Sequence, residues 1–164
     1  MAYPYEDLVI SIPDYPVEGV VFRDITPVWN DPEAFRAMVD GMAAPFAESR
    51  VTKVVGAEAR GFIVGAPVAL ALNAGFVPAR KPGKLPREVK SASYELEYGS
   101  DALEIHTDAI TADDTVLIVD DLIATGGTVA ALVKLVQDTG AKLAGMSFFM
   151  ELASLEPRKR VAAV

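Results

Sequence analysis

The stretch TVLIVDDLIATGGTVAALVKLVQ, residues 115–137, constrains the fold more than any other part of the chain. Its apolar run, Val116 to Val119, is typical of a strand buried on both faces of a sheet. Two carboxylates and a Gly/Thr turn follow the run. An apolar helix face then begins near Thr128, with Gly140 past the end of the helix. A buried strand that enters a helix through a tight turn predicts an α/β protein.

The rest of the chain repeats this alternation of strands and helices. The pattern predicts a helix within residues 30–50, capped by Asn30 or Asp31, and a second helix at 62–75 that ends near Gly75. Strands are predicted at 51–55, 76–80, 91–99, 102–110, 115–121 and 143–152. We therefore expect one domain, residues 1–164, with an open, mostly parallel twisted sheet flanked by helices. In such sheets ligands bind beyond the carboxyl ends of the strands.

Composition removes several classes of function. The chain contains no cysteine, which excludes a disulfide framework, a zinc–thiolate cluster and a thiol nucleophile. A net charge of −8 argues against a nucleic-acid-binding surface. No apolar run approaches the ~18 residues that span a bilayer, and the N-terminus lacks the pattern of a signal peptide. We expect a cytoplasmic protein that contacts neither nucleic acid nor membrane.

One segment departs from this acidic average. RKPGKLPREVK, residues 80–90 and hereafter the basic segment, contains a single acid, Glu88, among five cations: Arg80, Lys81, Lys84, Arg87 and Lys90. Most charge runs of this kind are solvated connections. The interleaved Pro82, Gly83 and Pro86 also fit a mobile loop that closes over a small anion.

The residues after the buried strand favour a sugar phosphate as ligand. The dinucleotide-binding, P-loop and nucleophile-elbow motifs are all missing, and the single histidine, His106, is expected to be structural. A Gly/Thr turn at a helix N-terminus suits a phosphate. We call this turn, Ala124 to Thr128, the phosphate loop. The acceptor-only groups Asp120 and Asp121 suit vicinal hydroxyls or a hydrated Mg²⁺.

These residues resemble the phosphoribosyl-pyrophosphate signature of the type I phosphoribosyltransferase family. Four further stretches, in family order and spacing, are similar to its adenine phosphoribosyltransferase branch: GVVFRDITP, GAEARGF, VPARKPGKLPRE and YELEYG. The resemblance covers most of residues 10–152. It implies that fold, with a small N-terminal hood at about residues 1–30 and a mobile basic loop at about 81–100. The implied reaction joins adenine to the phosphoribosyl group, forming AMP and pyrophosphate with inversion at C1.

The resemblance also implies roles for single residues. Asp120, Asp121 and the phosphate loop (Ala124, Thr125, Gly126, Gly127 and Thr128) would hold the ribose and the 5′-phosphate. Arg60 would meet the pyrophosphate, joined by Lys84, Arg80 and Lys81 from the basic segment. Mg²⁺ would be carried mainly by the substrate, without a dedicated protein metal site. The basic loop would reach across an interface between subunits, so a homodimer is expected.

The implied base pocket has two parts. Val21, Phe22 and Arg23 would form a hood over adenine, and Leu152 would close the opposite face. Glu97 matches the residue proposed to take the purine proton. The chain ends at Val164, sooner than most of the family, and PRKRVAAV could be a shortened final element or a basic tail.

Two alternatives remain open at this point. The phosphate loop is common to phosphoribosyltransferases that act on other bases, although the hood and LEYG stretches argue against them. A regulator could keep the fold and bind phosphoribosyl pyrophosphate without turnover. Such proteins typically carry a DNA-binding domain or a basic surface, whereas this chain is one acidic domain.

Overall fold

A computed structural model describes residues 5–95 and 99–162 of the chain. The chain divides into two compact units, Met1–Gly41 and Met42–Val164. In the described residues, no helix combines the length and the apolar character needed to cross a bilayer.

The first unit combines a hairpin with one short helix and most of a second, longer helix. Strands β1 (Ile10–Pro13) and β2 (Val21–Asp24) pair antiparallel, and α1 (Thr26–Asn30) and α2 (Pro32–Ala43) follow a 3₁₀ turn and this hairpin. Of the two caps predicted for the long helix, the structure selects Asp31, whose Oδ1 accepts hydrogen bonds from the amides of Glu33 and Ala34 at 3.0 and 2.8 Å. Asn30 instead ends α1, which the sequence pattern did not predict.

Helix α2 ends earlier than predicted. It stops at Ala43 and is followed by the 3₁₀ turn Ala44–Phe46, so the expectation of helix up to residue 50 is wrong. Pro45 explains the difference, because proline lacks an amide hydrogen and its ring clashes with the preceding turn of an α-helix. Helical spacing places Phe35, Met38, Val39 and Met42 on one apolar face; the last three are buried, whereas Phe35 is only partly buried.

The second unit contains the predicted parallel sheet. Its strands are β3 (Lys53–Ala57), β4 (Gly75–Ala79), β7 (Thr115–Ile123) and β8 (Lys142–Glu151), in the spatial order β4-β3-β7-β8. Every neighbouring pair is parallel. The α/β fold with a parallel sheet flanked by helices is thereby confirmed.

Two helices follow strands of this sheet and flank it. Helix α3 (Arg60–Ala71) packs against β3 and β7, and α4 (Gly127–Gln137) packs against β7 and β8. The predicted end of α3 near Gly75 is wrong, since Gly75 begins β4. Asn73 takes the left-handed conformation (φ 53°) that ends the helical run, a conformation asparagine adopts more readily than most residues.

Between β4 and β7 the chain forms a separate antiparallel hairpin. Its strands are β5 (Val89–Glu95) and β6 (Ser100–His106), with Tyr94 opposite Asp101 and Val89 opposite His106. A single bridge joins Arg80 to Glu104. The hairpin therefore connects to the basic segment, and α4 packs against both of its strands.

The last described element is a short helix that reaches the phosphate loop. Helix α5 (Pro157–Val161) follows the 3₁₀ turn Ala153–Leu155 and packs on α4. The Arg158 guanidinium donates hydrogen bonds to both carboxylate oxygens of Glu151 at the end of β8. A methyl group added at Gly126 would lie 3.5 Å from the Pro157 carbonyl and from Val161. Of the two interpretations of PRKRVAAV, the shortened element is the one observed for residues 157–161.

Candidate active site

A cavity of about 260 Å³ opens at the carboxyl ends of β3 and β7. Its lining comes from residues 57–61, which begin at the last residue of β3, and from residues 120–129, which begin near the carboxyl end of β7, together with Lys81, Tyr94 and Leu103. Both stretches that the sequence analysis placed at strand ends, GAEARG and DD…ATGGT, thus meet in one cavity, as ligand binding in open α/β sheets requires.

The phosphate loop enters α4 through a glycine that needs its conformational freedom. Gly126 has φ 81°, in the left-handed region, and its carbonyl accepts the Ala130 amide at 2.9 Å. Helix α4 begins at Gly127, so the first amides of the helix point toward the loop without partners inside the helix. This end of the helix dipole favours an anion in the cavity.

The two carboxylates near the carboxyl end of β7 differ in their surroundings. Asp121 is only 3% exposed, although it carries a charged group. Asp120 Oδ1 accepts the Asp121 amide at 2.9 Å. Burial, with the neighbouring charge of Asp121 as the next cause, raises the pKa of Asp120 to about 8. At neutral pH Asp120 is therefore largely protonated, which weakens its repulsion of an anionic ligand.

Arg60 balances this charge. It begins α3, and its Nε lies 3.0 Å from Asp121 Oδ2, with 45% of the arginine side chain still exposed. The contact is an ion pair without hydrogen-bond geometry, because Asp121 Oδ2 accepts no hydrogen bond from the described residues. A buried carboxylate oxygen in this state can still accept a hydrogen bond from a ligand hydroxyl.

Gly61 allows the start of α3 to lie close to the Asp120 carboxylate of β7. A Cβ atom at this position would lie 2.8 Å from Asp120 Oδ1, closer than such atoms pack. The predicted Arg60-Gly61 pair thus supplies a guanidinium at the cavity and the space that the neighbouring carboxylate needs.

The basic segment reaches the cavity through Lys81. The Lys81 amide donates to Glu58 Oε1 at 2.7 Å, and Arg80 Nε lies 3.4 Å from the same oxygen. Arg80 also donates to the Lys84 carbonyl at 3.3 Å. Lys84 is exposed and lies outside the cavity lining, so Lys81 is the cation of this segment that faces the cavity in the structure.

The residues predicted to bind adenine lie in different units. Val21, Phe22 and Arg23 form β2 in the first unit, where the Phe22 ring meets Tyr15 edge to face at 5.3 Å and Arg23 donates to Ser11. Leu152 lies in the second unit directly after β8, and its amide donates to the Ile123 carbonyl at 2.9 Å. Glu97, the predicted proton acceptor, lies outside the described residues.

Sequence reasoning missed Tyr94, Leu103 and Glu58, which all line the cavity. The alternation of apolar and polar residues in 91–99 and 102–110 predicted two extended segments. It did not indicate which side of the resulting hairpin faces the phosphate loop. Glu58 lies in the stretch GAEARGF, in which the resemblance implied a role only for Arg60. In the described part of the chain, no group of three or more acidic or histidine side chains is placed to hold a metal ion.

Comparison with known proteins is consistent with this geometry. The phosphoribosyl transferase domain family matches residues 33–162. An adenine phosphoribosyltransferase of Yersinia pseudotuberculosis is 54% identical over 156 residues, which cover 95% of this chain and 83% of that protein.

Two solved structures are also similar. The adenine phosphoribosyltransferase of Rhodothermus marinus is 49% identical, with a TM-score of 0.88 over 94% of this chain and 88% of that one. The enzyme of Saccharomyces cerevisiae, solved with an imino-altritol bisphosphate and adenine, is 43% identical with a TM-score of 0.89. That match covers 93% of this chain and 89% of the yeast chain.

Proposed function

The chain belongs to the adenine phosphoribosyltransferase family, and we propose that it transfers the phosphoribosyl group of 5-phosphoribosyl-1-pyrophosphate to adenine, forming AMP and pyrophosphate. The observation that carries the proposal is the buried Asp121 Oδ2, without a hydrogen bond from the described residues, beside a helix N-terminus in the same cavity. A sugar phosphate fits both features, because its hydroxyls can donate hydrogen bonds to the carboxylate and its phosphate can bind at the helix N-terminus.

The ribose phosphate is held by the carboxyl end of β7 and the phosphate loop. The amides and hydroxyls of the phosphate loop bind the 5′-phosphate, and Asp120 and Asp121 accept hydrogen bonds from the 2′- and 3′-hydroxyls. The glycine turn at Gly126 (φ 81°) supports the first assignment, and the burial of Asp121 supports the second. Holding the ring at two points fixes C1 relative to the incoming base.

The leaving group is held by cations on the other side of the cavity. As the bond from C1 to the pyrophosphate oxygen breaks, positive charge develops on the ribose and negative charge on the pyrophosphate. Arg60 and Lys81 line the cavity and stabilise this negative charge, with Lys84 and Arg80 reaching it when the loop at about residues 81–100 closes. Closure also excludes water, which competes with adenine as nucleophile.

Mg²⁺ fits this site as a companion of the substrate. Bound Mg²⁺ would supply positive charge to the pyrophosphate oxygens, and Asp120 and Asp121 are oxygen donors of the kind it prefers. Chelation with EDTA should abolish turnover without unfolding the protein, because in this proposal no structural element depends on the metal.

Adenine is bound by Val21, Phe22 and Arg23 of the hood, at about residues 1–30, and by Leu152. Phe22 offers an aromatic face, and its contact with Tyr15 supports a fixed ring orientation. Glu97 takes the purine proton as the bond from nitrogen to C1 forms. A homodimer and a cytoplasmic location remain predictions; light scattering on the purified protein would test the first.

The test is base selectivity. The purified protein is incubated with Mg²⁺, phosphoribosyl pyrophosphate and, in separate reactions, adenine, hypoxanthine, guanine, xanthine, orotate or no base, and nucleotide and pyrophosphate are quantified. We expect turnover with adenine alone. Turnover with another base would contradict the adenine assignment and keep the sugar-phosphate site. Binding of phosphoribosyl pyrophosphate without turnover in any reaction would identify a regulator.

A further inference from the structure

An ion pair lies at the rim of the cavity. Lys81 Nζ is 2.8 Å from Asp101 Oδ2, in β6. The lysine side chain is 56% exposed, whereas Asp101 is only 22% exposed. Because the amide of Lys81 is also tied to Glu58, the residue is held at its backbone and at its ammonium.

The carboxylate of Asp101 is itself fixed on the hairpin. Its Oδ1 accepts the Ala102 amide at 2.8 Å, and its Oδ2 accepts a long hydrogen bond of 3.4 Å from the Tyr94 hydroxyl on the opposite strand. Polar contacts therefore run from Lys81 through Asp101 to Tyr94, which lines the cavity together with the phosphate loop.

Both partners are ionised at neutral pH. The hydrogen bond from Lys81 holds the pKa of Asp101 below its usual range, and the same contact raises the pKa of Lys81. An ammonium has three N–H donors, so Lys81 can keep one on Asp101 and direct the other two at an oxyanion in the cavity.

We propose that Asp101 is a positioning residue that holds the Lys81 ammonium at the cavity rim for the pyrophosphate of the substrate. This inference rests on the proposed function, in which that group departs. A free lysine side chain loses rotamer entropy when it binds a phosphate. Asp101 imposes much of that ordering before the substrate arrives, so less affinity is lost on binding.

A second ion pair provides a matched control. Arg87 of the basic segment pairs with Asp108, shortly after β6. It has the same chemistry in the same region, but both side chains are more than half exposed and neither lines the cavity. Asp108→Ala therefore removes a comparable ion pair without disturbing the cation at the rim.

The experiment compares Asp101→Ala, Asp101→Asn, Lys81→Ala, the double variant Lys81→Ala/Asp101→Ala and Asp108→Ala. We measure KM for phosphoribosyl pyrophosphate and for adenine, and the Kd of pyrophosphate with Mg²⁺ by calorimetry. For Asp101→Ala we expect KM for phosphoribosyl pyrophosphate and Kd for pyrophosphate to rise about fivefold, the upper end for a partly exposed ion pair. KM for adenine should stay within about twofold of wild type, because no hydrogen bond to the base is lost.

The other variants separate positioning from a structural role. Asp101→Asn should lie within about twofold of wild type, since the amide oxygen still accepts a hydrogen bond from Lys81. Asp108→Ala should match wild type. If Asp101 acts through Lys81, the double variant should bind pyrophosphate as Lys81→Ala does, because the second substitution then removes nothing further.

Three results would overturn the inference: unchanged binding in Asp101→Ala, tighter binding in that variant, or an additional loss in the double variant. All titrations are run below the melting temperature of Asp101→Ala, so that this variant and the double variant stay folded during the comparison. The calorimetric titration needs no turnover. A wild-type protein that fails to use any base would refute the proposed function, while the effect on pyrophosphate affinity would still test Asp101.

Discussion

The two sides of the cavity are built in different ways. The phosphate-loop side, residues 120–129, is one continuous stretch that leaves a central strand of the parallel sheet and enters α4. On the basic side, residues 80–90, three cations pair with carboxylates elsewhere in the chain: the half-buried Arg80 with Glu58, and the exposed Lys81 and Arg87 with Asp101 and Asp108.

The difference shows how an acidic chain can hold a polyanion. The phosphate-loop side is preorganised by backbone geometry, so its donors are oriented without a ligand. The cations of the basic side are neutralised by acids of the same chain, which carries a net charge of −8. A polyanionic substrate offers those cations further oxygens to bind. Because interactions between exposed charges are screened by ions, binding of the substrate to this side is sensitive to salt. The phosphate-loop side thus supplies hydrogen-bond donors in fixed positions, whereas the basic side supplies cations that can change partners.

The largest effect is expected at Asp120. Measured at pH 9, above the Asp120 pKa of about 8, Asp120→Asn should lower kcat/KM for phosphoribosyl pyrophosphate by at least about tenfold, because hydrogen bonds to a charged acceptor contribute about 1.5–3 kcal/mol. Steady-state kinetics with adenine held at saturation measures this loss. A variant that turns over at the wild-type rate under subsaturating substrate would remove Asp120 from the site.

The same substitution should stabilise the fold at high pH. Asp120 has a folded-state pKa of about 8, above the ordinary value of 3.8. Its contribution to stability is therefore complete below about pH 4 and is lost as the pH rises through about 8. The neutral amide of the Asn variant has no such dependence. Melting temperatures should diverge in favour of the variant between pH 4 and pH 8, by the equivalent of at least about 1 kcal/mol. Parallel curves would contradict the raised pKa.

An intermediate effect is expected from glycines with positive φ. Gly126 in the phosphate loop (φ 81°) and Gly83 in the basic segment (φ 76°) occupy the same backbone region. Alanine at either position should cost about 1–2 kcal/mol of stability, measured by urea unfolding. Only Gly126→Ala should also weaken the binding of phosphoribosyl pyrophosphate, by about fivefold to tenfold if that strain is relieved by moving the loop. Equal losses of affinity in the two variants would mean that both sides are preorganised.

The smallest effect is expected at Arg87. Its partner Asp108 is 64% exposed, and ion pairs of this kind contribute about 0–1 kcal/mol. Arg87→Ala should leave kcat/KM within about twofold of wild type at physiological salt. A tenfold loss would show that the basic segment acts as one charged unit and not through Lys81.

The same division explains what could be predicted from the sequence. Strand β7 and helix α4 were predicted because a buried strand, a glycine turn and an amphipathic helix each leave a local pattern, and Asp120 to Thr128 are contiguous. The contacts of Lys81 with Asp101 and of Arg60 with Asp121 join residues 20 and 61 positions apart, so no local period indicates them. The hairpin of β1 and β2 was missed because each of its strands has only four residues, too few for a period of two to stand out in the sequence.

Helix α5 supports the phosphate loop but is synthesised after it. The backbone of Gly126 is approached by Pro157 and Val161, more than thirty residues later, and Glu151 and Arg158 fix that approach. As the chain leaves the ribosome, the complete signature motif emerges well before the segment that supports it from behind. The motif and the structure that stabilises it are therefore separate in time as well as in sequence. A nascent chain that ends before residue 157 contains the complete signature motif but lacks the helix that supports it.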